Sequence, residues 1–435
     1  MDLSAISWGW DNGRPLIGIA LIIFICWALS EARNRFPFRL VLGALTVQAA
    51  LVWLLFGFPQ TQPVIGAITG VVDGLTAATQ QGAQFVFGYL ANLSPNQPYL
   101  LNPQGGGTPF IFAFQVLPLI LVISALSALL WHWRILRWII AGFGFVFRRF
   151  MGIGGASATA VAANIFMGMV ESPIVIRAYL DRLTRSELFM MMVVGLATVA
   201  GSAMVAYILV LKQAVPDVAA HILVASIISA PAGILLARVM IPEVPGQGLT
   251  EDDNTVVLRY QSSMDAITRG VQDGLQVCLN IAATLIVFVS LVTLVNLMLA
   301  PIGDVAGAPV TLERIFGYVF APLAYMIGVP WDEAVGAGNF LGVKLFLTEF
   351  IAYVRLGEIA PDALSERTRV LLAYALCGFA NVGSVGILVS GLAVLLPERR
   401  TEVLELAWKA LTPGFLATCM TAGVVAAMPG AMFGF

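Results

Sequence analysis

What the sequence lacks first is charge. Only 11% of its 435 residues are Asp, Glu, Lys or Arg, against about a quarter in soluble domains. The 23 basic and 25 acidic side chains nearly cancel, and no basic face forms, so no nucleic-acid partner is expected. Histidine occurs twice. The four cysteines, Cys26, Cys278, Cys377 and Cys419, each sit in an apolar run without metal-ligand or paired spacing. That pattern excludes a disulfide framework or a cysteine–histidine metal centre and leaves structural thiols. A phosphate loop and a nucleophile–base pair are missing too, which argues against an enzyme and implies no cofactor. Residues 1–12 are polar and acidic, with no basic stretch before the first apolar run, so no cleavable signal peptide is read.

What is present is hydrophobic length. Apolar residues make up 59% of the chain and the mean hydropathy is +0.90, with apolar runs of about 20 residues recurring along it. This is the composition of a polytopic membrane protein, whose largest partner is the lipid bilayer. Spans are read at about 15–30, 40–58, 109–130, 188–211, 219–241, 275–300, 370–396 and 411–433. Arg33, Arg35, Arg39, Arg134, Arg137, Arg148, Arg149, Arg177, Arg182, Arg185, Arg238, Arg259, Arg269, Arg399, Arg400 and Lys409 fall on one side, which the positive-inside rule makes cytoplasmic. The layout predicts an inner (plasma) membrane protein with both termini outside. Residues 63–101 read as interfacial and amphipathic, 92–107 as a loop, and 242–269 as a polar cytoplasmic linker with an amphipathic helix.

Two stretches resist assignment as simple spans. Residues 152–179 are broken by Gly152, Gly154, Gly155, Gly168 and Pro173, carry Glu171 and are flanked by arginines at both ends. Residues 333–356 hold Gly336, Gly338, Gly342, Lys344 and Glu349. Each reads as a re-entrant hairpin, because irregular backbone at membrane depth is tolerated only where it is buried in protein or lines a cavity. Each precedes a span weakened at its centre, by Gly195, Thr198, Gly201 and Ser202 in one case and by the run from Phe379 to Gly386 in the other, and then an ordinary span. One hairpin enters from the cytoplasm and the other from outside.

The fold class predicted is therefore an all-α polytopic membrane protein with about eight transmembrane helices and two oppositely oriented re-entrant hairpins in an inverted repeat. The organisation read is 1–150 scaffold spans and interfacial helices, 151–241 first transport repeat, 242–332 linker and scaffold span, and 333–435 second transport repeat.

A carboxylate at membrane depth costs at least about 2.5–3.5 kcal/mol, so Glu171 and Glu349 are functional candidates. With Asn381 and Ser384 they could line one polar pocket suited to a hydroxylated neutral solute. Structural alternatives stand beside each: Glu349 paired with Lys344, Glu171 capping an internal helix end, and Asn381 satisfying freed backbone groups in a kinked helix.

Four stretches carry a resemblance. They are Asn164-Ile-Phe-Met-Gly-Met-Val-Glu-Ser-Pro-Ile-Val-Ile-Arg177, Ala197-Thr-Val-Ala-Gly-Ser202 with Ala206-Tyr207, Gly342-Val-Lys-Leu-Phe-Leu-Thr-Glu-Phe-Ile-Ala-Tyr353, and Cys377-Gly-Phe-Ala-Asn-Val-Gly-Ser-Val-Gly-Ile387. In this order they resemble the signatures of the concentrative nucleoside transporter family, over essentially the whole chain. The resemblance implies a homotrimeric cation symporter importing nucleosides or nucleoside-like small molecules. Glu349, Asn381 and Ser384 match its ribose-binding positions and Phe379 the aromatic beside sugar and base. Asn164, with carbonyls of Met167, Thr198 and Val199, matches its sodium site, and the presence of Asn164 favours Na+ over H+ as coupling ion.

The departure is at Met169 and Val170. There the family typically carries an amide and a hydroxyl that hydrogen-bond the base, so base preference is in doubt and a ribosyl or polyol solute with a less polar aglycone is an alternative cargo. Thr348 replaces the family's usual Asn before Glu349, a milder change. A non-transporting receptor or channel on the same fold is the remaining alternative.

Overall fold

The computed structural model describes residues 9–58, 61–91, 111–212, 214–244, 259–305, 307–360 and 362–433. The expected loop at 92–107, the acidic part of the linker around 251–254 and most of the acidic N-terminus lie outside these residues. Among the described residues, regular structure is helical apart from a two-stranded ribbon, Asp304–Val305 with Ala308–Pro309.

Three helices open the chain: α1 (Trp10–Ala28), α2 (Phe38–Phe56) and α3 (Gln62–Phe87). The third lies where an amphipathic stretch is expected. It packs one stripe inward, Ile65, Val72, Thr76, Thr79 and Ala83, and leaves the rest of its surface open.

The remainder is built twice. The first half runs α4 (Phe112–Gln115), α5 (Leu117–His132), α6 (Ile135–Met151), α7 (Gly155–Met167), α8 (Glu171–Val175), α9 (Arg185–Ala197), α10 (Gly201–Leu211) and α11 (Val218–Met240). The second runs α12 (Ser263–Leu299), α13 (Leu312–Met326), α14 (Trp331–Phe346), α15 (Glu349–Gly357), α16 (Glu366–Leu376), α17 (Val382–Leu395) and α18 (Arg400–Ala427). In both, an apolar helix (α5, α12) leads to an amphipathic one (α6, α13). A helical hairpin (α7/α8, α14/α15), a broken helix (α9/α10, α16/α17) and a continuous helix (α11, α18) follow.

The pairs α5/α6 and α12/α13 thus precede the two hairpins in the same order, upstream of the stretches 151–241 and 333–435. No span is read from the sequence between 131 and 151, where α6 lies. That element is a 17-residue helix burying Leu136, Ile140, Gly144, Phe147 and Met151 on one stripe while Trp138, Phe145 and Phe150 stay exposed.

Water is absent at membrane depth, so each helix start needs its own acceptor. The second half supplies one at five starts. The side chains of Ser262, Thr311, Thr348, Ser365 and Asn381 accept from the backbone N–H groups of Asp265, Arg314, Ile351, Thr368 and Ser384. In the first half, Thr184 and Glu187 form a reciprocal capping box at α9.

Among the described residues, seven helical segments are long and apolar enough to cross a membrane. The broken helix α16/α17 lies where the sequence predicts a further span, at 370–396. The pair α13/α14 bends by 117° at the break between Met326 and Trp331. The two arms approach closely along their length, because a Cβ at Gly338 would meet the Gly317 carbonyl oxygen and one at Gly342 would meet the Phe316 side chain.

Three boundaries differ from the sequence reading. The last span begins at Arg400 rather than near 411 and ends at Ala427, since the charged turn at its start is satisfied: Arg399 pairs with Glu402 and donates to the Leu183 carbonyl. The amphipathic end of the linker, from Ser263, is continuous with α12. Gly270 and Gly274 do not break it but allow close approach to Ala125 and Ser124 of α5. The second arm of the first hairpin is only one α-helical turn, followed by a 3-10 stretch, Arg177–Arg182.

The centre of the molecule is α9–α11 interleaved with α16–α18. Of their apolar stretches, 89% is buried within the chain in α11 and α18, against 6% in α12. Charge gathers at the ends. Arg185, which opens α9, pairs with Glu31 and Glu405, and Lys409 also pairs with Glu31. Burial raises the Glu31 carboxyl, but the hydrogen bonds from Arg185 and Lys409 outweigh it and hold the group below its usual range. At the far end of the same broken helix, Lys212 pairs with Asp73 of α3.

Candidate functional site

The two broken helices cross at their breaks. A Cβ at Gly378 would lie 2.6 Å from the Ala197 carbonyl oxygen, so only glycine permits this approach. The Phe379 N–H donates to the Thr198 carbonyl at 3.3 Å. Backbone groups freed by one break are therefore met partly by the other, which is how irregular chain survives at this depth.

Both hairpin tips reach this crossing. Glu171 and Glu349 are each the first residue of the second arm. At the second tip, Tyr207 Oη donates to Glu349 Oε1 at 2.8 Å and Asn381 Nδ2 donates to Oε2 at 2.7 Å. Asn381 Oδ1 in turn accepts the Ser384 N–H at 2.7 Å, capping α17. The two readings of Asn381 are thus one arrangement: it satisfies the freed backbone and holds the carboxylate. Tyr207 is fixed by stacking on Tyr353, with ring centroids 4.6 Å apart, and Tyr353 donates to the Ala373 carbonyl.

Lys344 does not pair with Glu349. Its Nζ donates to the Ala375 carbonyl at 2.8 Å and to Thr418 Oγ1 at 2.5 Å, which removes the ion-pair alternative for Glu349.

The first tip is built differently. Gly168 turns with φ of +94°, and a Cβ there would meet Glu171 Oε2 at 2.8 Å and Ala200 Cβ at 3.1 Å. The Glu171 carboxylate is directed back toward the backbone N–H groups of Val170 and Glu171, as its capping alternative requires, and no described side chain hydrogen-bonds it. Val170 packs against Gly391 of α17 and Met169 against Gly195 of α9.

Between the tips lies a cavity of about 360 Å³, within the range of small-molecule sites. Met169, Val170, Glu171, Glu349, Phe379, Asn381 and Ser384 all line it. Its far wall is one the sequence reading missed. Val277, Asn280, Ile281, Thr284, Leu285 and Phe288 of α12 face it at helical spacing. The available signal was two polar residues, Asn280 and Thr284, in an otherwise apolar span.

The ion-site candidates sit behind the first tip. Asn164 is fully buried, its Nδ2 donating to the Met191 carbonyl at 3.4 Å and its Oδ1 accepting from the Ser172 hydroxyl. Thr198 Oγ1 lies 3.4 Å from the Asn164 carbonyl, and Met167 ends α7 without a capping bond at Gly168. Val199 presents its carbonyl toward Ser226 of α11 at 3.4 Å. Every candidate donor is an amide, carbonyl or hydroxyl oxygen, a hard set that fits an alkali cation.

Comparisons with known proteins agree along the chain. Family models described as "Na+ dependent nucleoside transporter" match residues 17–90 (N-terminus) and 221–426 (C-terminus), and one described as "Nucleoside recognition" matches 113–214. The nucleoside permease NupC of Helicobacter pylori is 32% identical over 414 residues, covering 94% of this chain and 96% of its own. This chain belongs to the concentrative nucleoside transporter family. An uncharacterized transporter of Haemophilus influenzae is 36% identical over 94% of this transporter and 96% of its own chain. The solved structure of CNTnw in an inward-facing substrate-bound state is 35% identical, with a TM-score of 0.87, covering 97% of this chain and 98% of that one. The family is one of transporters rather than enzymes, and the apolar helices make this member a multi-pass membrane protein.

Proposed function

We propose that this transporter imports nucleosides or nucleoside-like solutes by sodium symport. The observation that carries the reading is the knot of Tyr207, Glu349, Asn381 and Ser384 at one pole of the cavity. Hydroxyls of a ribose can donate to the Glu349 oxygens and exchange with the Ser384 hydroxyl, which bonds no described residue, while Phe379 lies beside them. The apolar pole formed by Met169 and Val170 takes the base. It supplies dispersion and little hydrogen-bond discrimination, so a broad base range, or a solute with a less polar aglycone, fits it.

Asn164 with the carbonyls of Met167, Thr198 and Val199 would hold the sodium ion. The family description as Na+ dependent supports this assignment. An ion there ties the first hairpin to the broken helix α9/α10, since both contribute oxygens, and so orders the tip that closes over the solute. The bare surface of α12 supports a homotrimer or direct lipid contact, and the distribution of arginines supports an inner-membrane location with both termini outside.

The test is uptake of a labelled nucleoside panel into proteoliposomes under an imposed sodium gradient. Concentrative uptake that collapses on replacing sodium by choline is expected, and Asn164→Ala should lose the sodium stimulation. Absence of uptake and of competition by every natural nucleoside would overturn the substrate assignment, and undiminished sodium stimulation in Asn164→Ala would overturn the ion site.

A further inference from the structure

Lys344 is a fully buried ammonium with no carboxylate within ion-pairing distance among the described residues. Its surroundings are a carbonyl oxygen of Ala375, the hydroxyl of Thr418, whose own proton goes to the Phe415 carbonyl, and the Phe415 ring at 5.5 Å. Carbonyl, hydroxyl and ring face are the groups that hold a bare alkali cation in proteins. A charge in such a place is expensive and needs a purpose.

The repeat supplies one. In the first half, the last turn of the hairpin's first arm (Asn164), the end of the first half of the broken helix (Thr198, Val199) and the middle of the continuous helix (Ser226) come together. In the second half the same three kinds of element meet. Lys344 is in the last turn of α14, Ala375 is next to the end of α16, and Thr418 is in the middle of α18. One repeat brings together oxygens suited to a cation, and the other brings together comparable oxygens around a cation that is covalently attached.

We propose that Lys344 is a tethered substitute for a second coupling ion: it occupies the cation site of the second repeat, holds hairpin α14/α15 to α16 and α18 in every state, and limits coupling to one mobile ion. The inference rests on the sodium reading of the Asn164 site for its counterpart, but its own residues are independent of that site. A permanently occupied site explains the asymmetry of the tips, because the second is held closed by protein groups and the first is left to be ordered by ion and solute.

The experiment is nucleoside binding to the purified full-length protein at increasing sodium, by calorimetry, for wild type, Lys344→Ala, Lys344→Met and Asn164→Ala, each checked for a monodisperse elution profile. Wild type should respond to sodium with a Hill coefficient of about 1, the value for one site. Lys344→Ala, which vacates the site, should bind about tenfold more weakly at sodium saturating for wild type, and should recover at higher sodium with a Hill coefficient approaching about 2. Lys344→Met fills the space without charge and should not recover at any sodium concentration.

A Lys344→Ala protein with wild-type affinity and wild-type sodium response overturns the proposal, as does equal, sodium-independent weakening in the Ala and Met variants. If Lys344→Ala fails to elute as a single species, methylammonium added during purification should restore it, and failure to do so counts against the proposal. Should wild type ignore sodium while Lys344→Ala becomes sodium-sensitive, the Asn164 site falls and the tethered cation stands. Should Asn164→Ala lose the sodium response while Lys344→Ala behaves as wild type, the reverse holds.

Discussion

The two hairpin tips place a carboxylate at the same point, the first residue of the second arm, and treat it in opposite ways. Glu349 is gripped by Tyr207 and Asn381, its arm is capped by Thr348, and the element behind it is fastened by Lys344. Glu171 has only backbone N–H groups facing it, on an arm one turn long, between apolar neighbours. A repeated architecture has thus been divided into a preformed pole and an adaptable one. Preformed groups bind without a further ordering cost, so the sugar pole should dominate affinity and the other pole should tune selectivity and coupling.

The sharpest way to break this comparison is Glu349→Gln. The change leaves Tyr207 and Asn381 facing a half-donor in a buried site, and truncating one partner of such a set costs about 2–5 kcal/mol. Nucleoside affinity by calorimetry should fall by about a hundredfold or more with the protein still monodisperse. Unchanged affinity, or loss of expression alone, would make the residue structural and remove the preformed pole.

Next in size is Tyr207→Phe, which removes one hydrogen bond to the carboxylate and keeps the stack on Tyr353. Bonds to charged groups are worth about 1.5–3 kcal/mol, so about a tenfold or greater loss of affinity is expected for sugars of every base. A loss confined to one class of base would place Tyr207 at the wrong pole.

How these parts could be read from sequence follows from the physics of each. Spans and hairpins were legible because long apolar runs, the breakers Gly168, Pro173 and Gly342, and the polar, glycine-bearing run from Phe379 to Gly386 are local signals. Helix α6 was not, because its exposed Trp and Arg residues look like an interface belt with or without a helix. Tyr207 was quoted within a family motif but given no role, and the α12 wall was passed over, since a lone tyrosine, or Asn280 and Thr284 in an apolar run, shows its purpose only once distant helices meet. Lys344 invited pairing with Glu349 on spacing alone, yet its side chain runs to Ala375 and Thr418 on other elements.

Converting the adaptable pole toward the preformed one is the third test. Met169→Gln with Val170→Thr adds an amide and a hydroxyl to the cavity wall. Each new hydrogen bond is worth about 0.5–1.5 kcal/mol net, so the ratio of affinities between purine and pyrimidine nucleosides should shift by several-fold, up to about tenfold. Competition assays with four nucleosides measure it. A proportional change for all four would show that these positions do not face the base.

The smallest effect expected is that of Glu171→Gln, and it decides whether the tips truly differ. The carboxylate faces a helix N-terminus, and such an arrangement favours negative charge by about 0.3–1 kcal/mol, which converts to roughly twofold to fivefold in affinity. No described side chain is orphaned by the change, so thermal stability should hardly move. A hundredfold loss, matching Glu349→Gln, would mean that solute or ion grips Glu171 as firmly as Tyr207 and Asn381 grip Glu349, and the two poles would be equals assembled by different means.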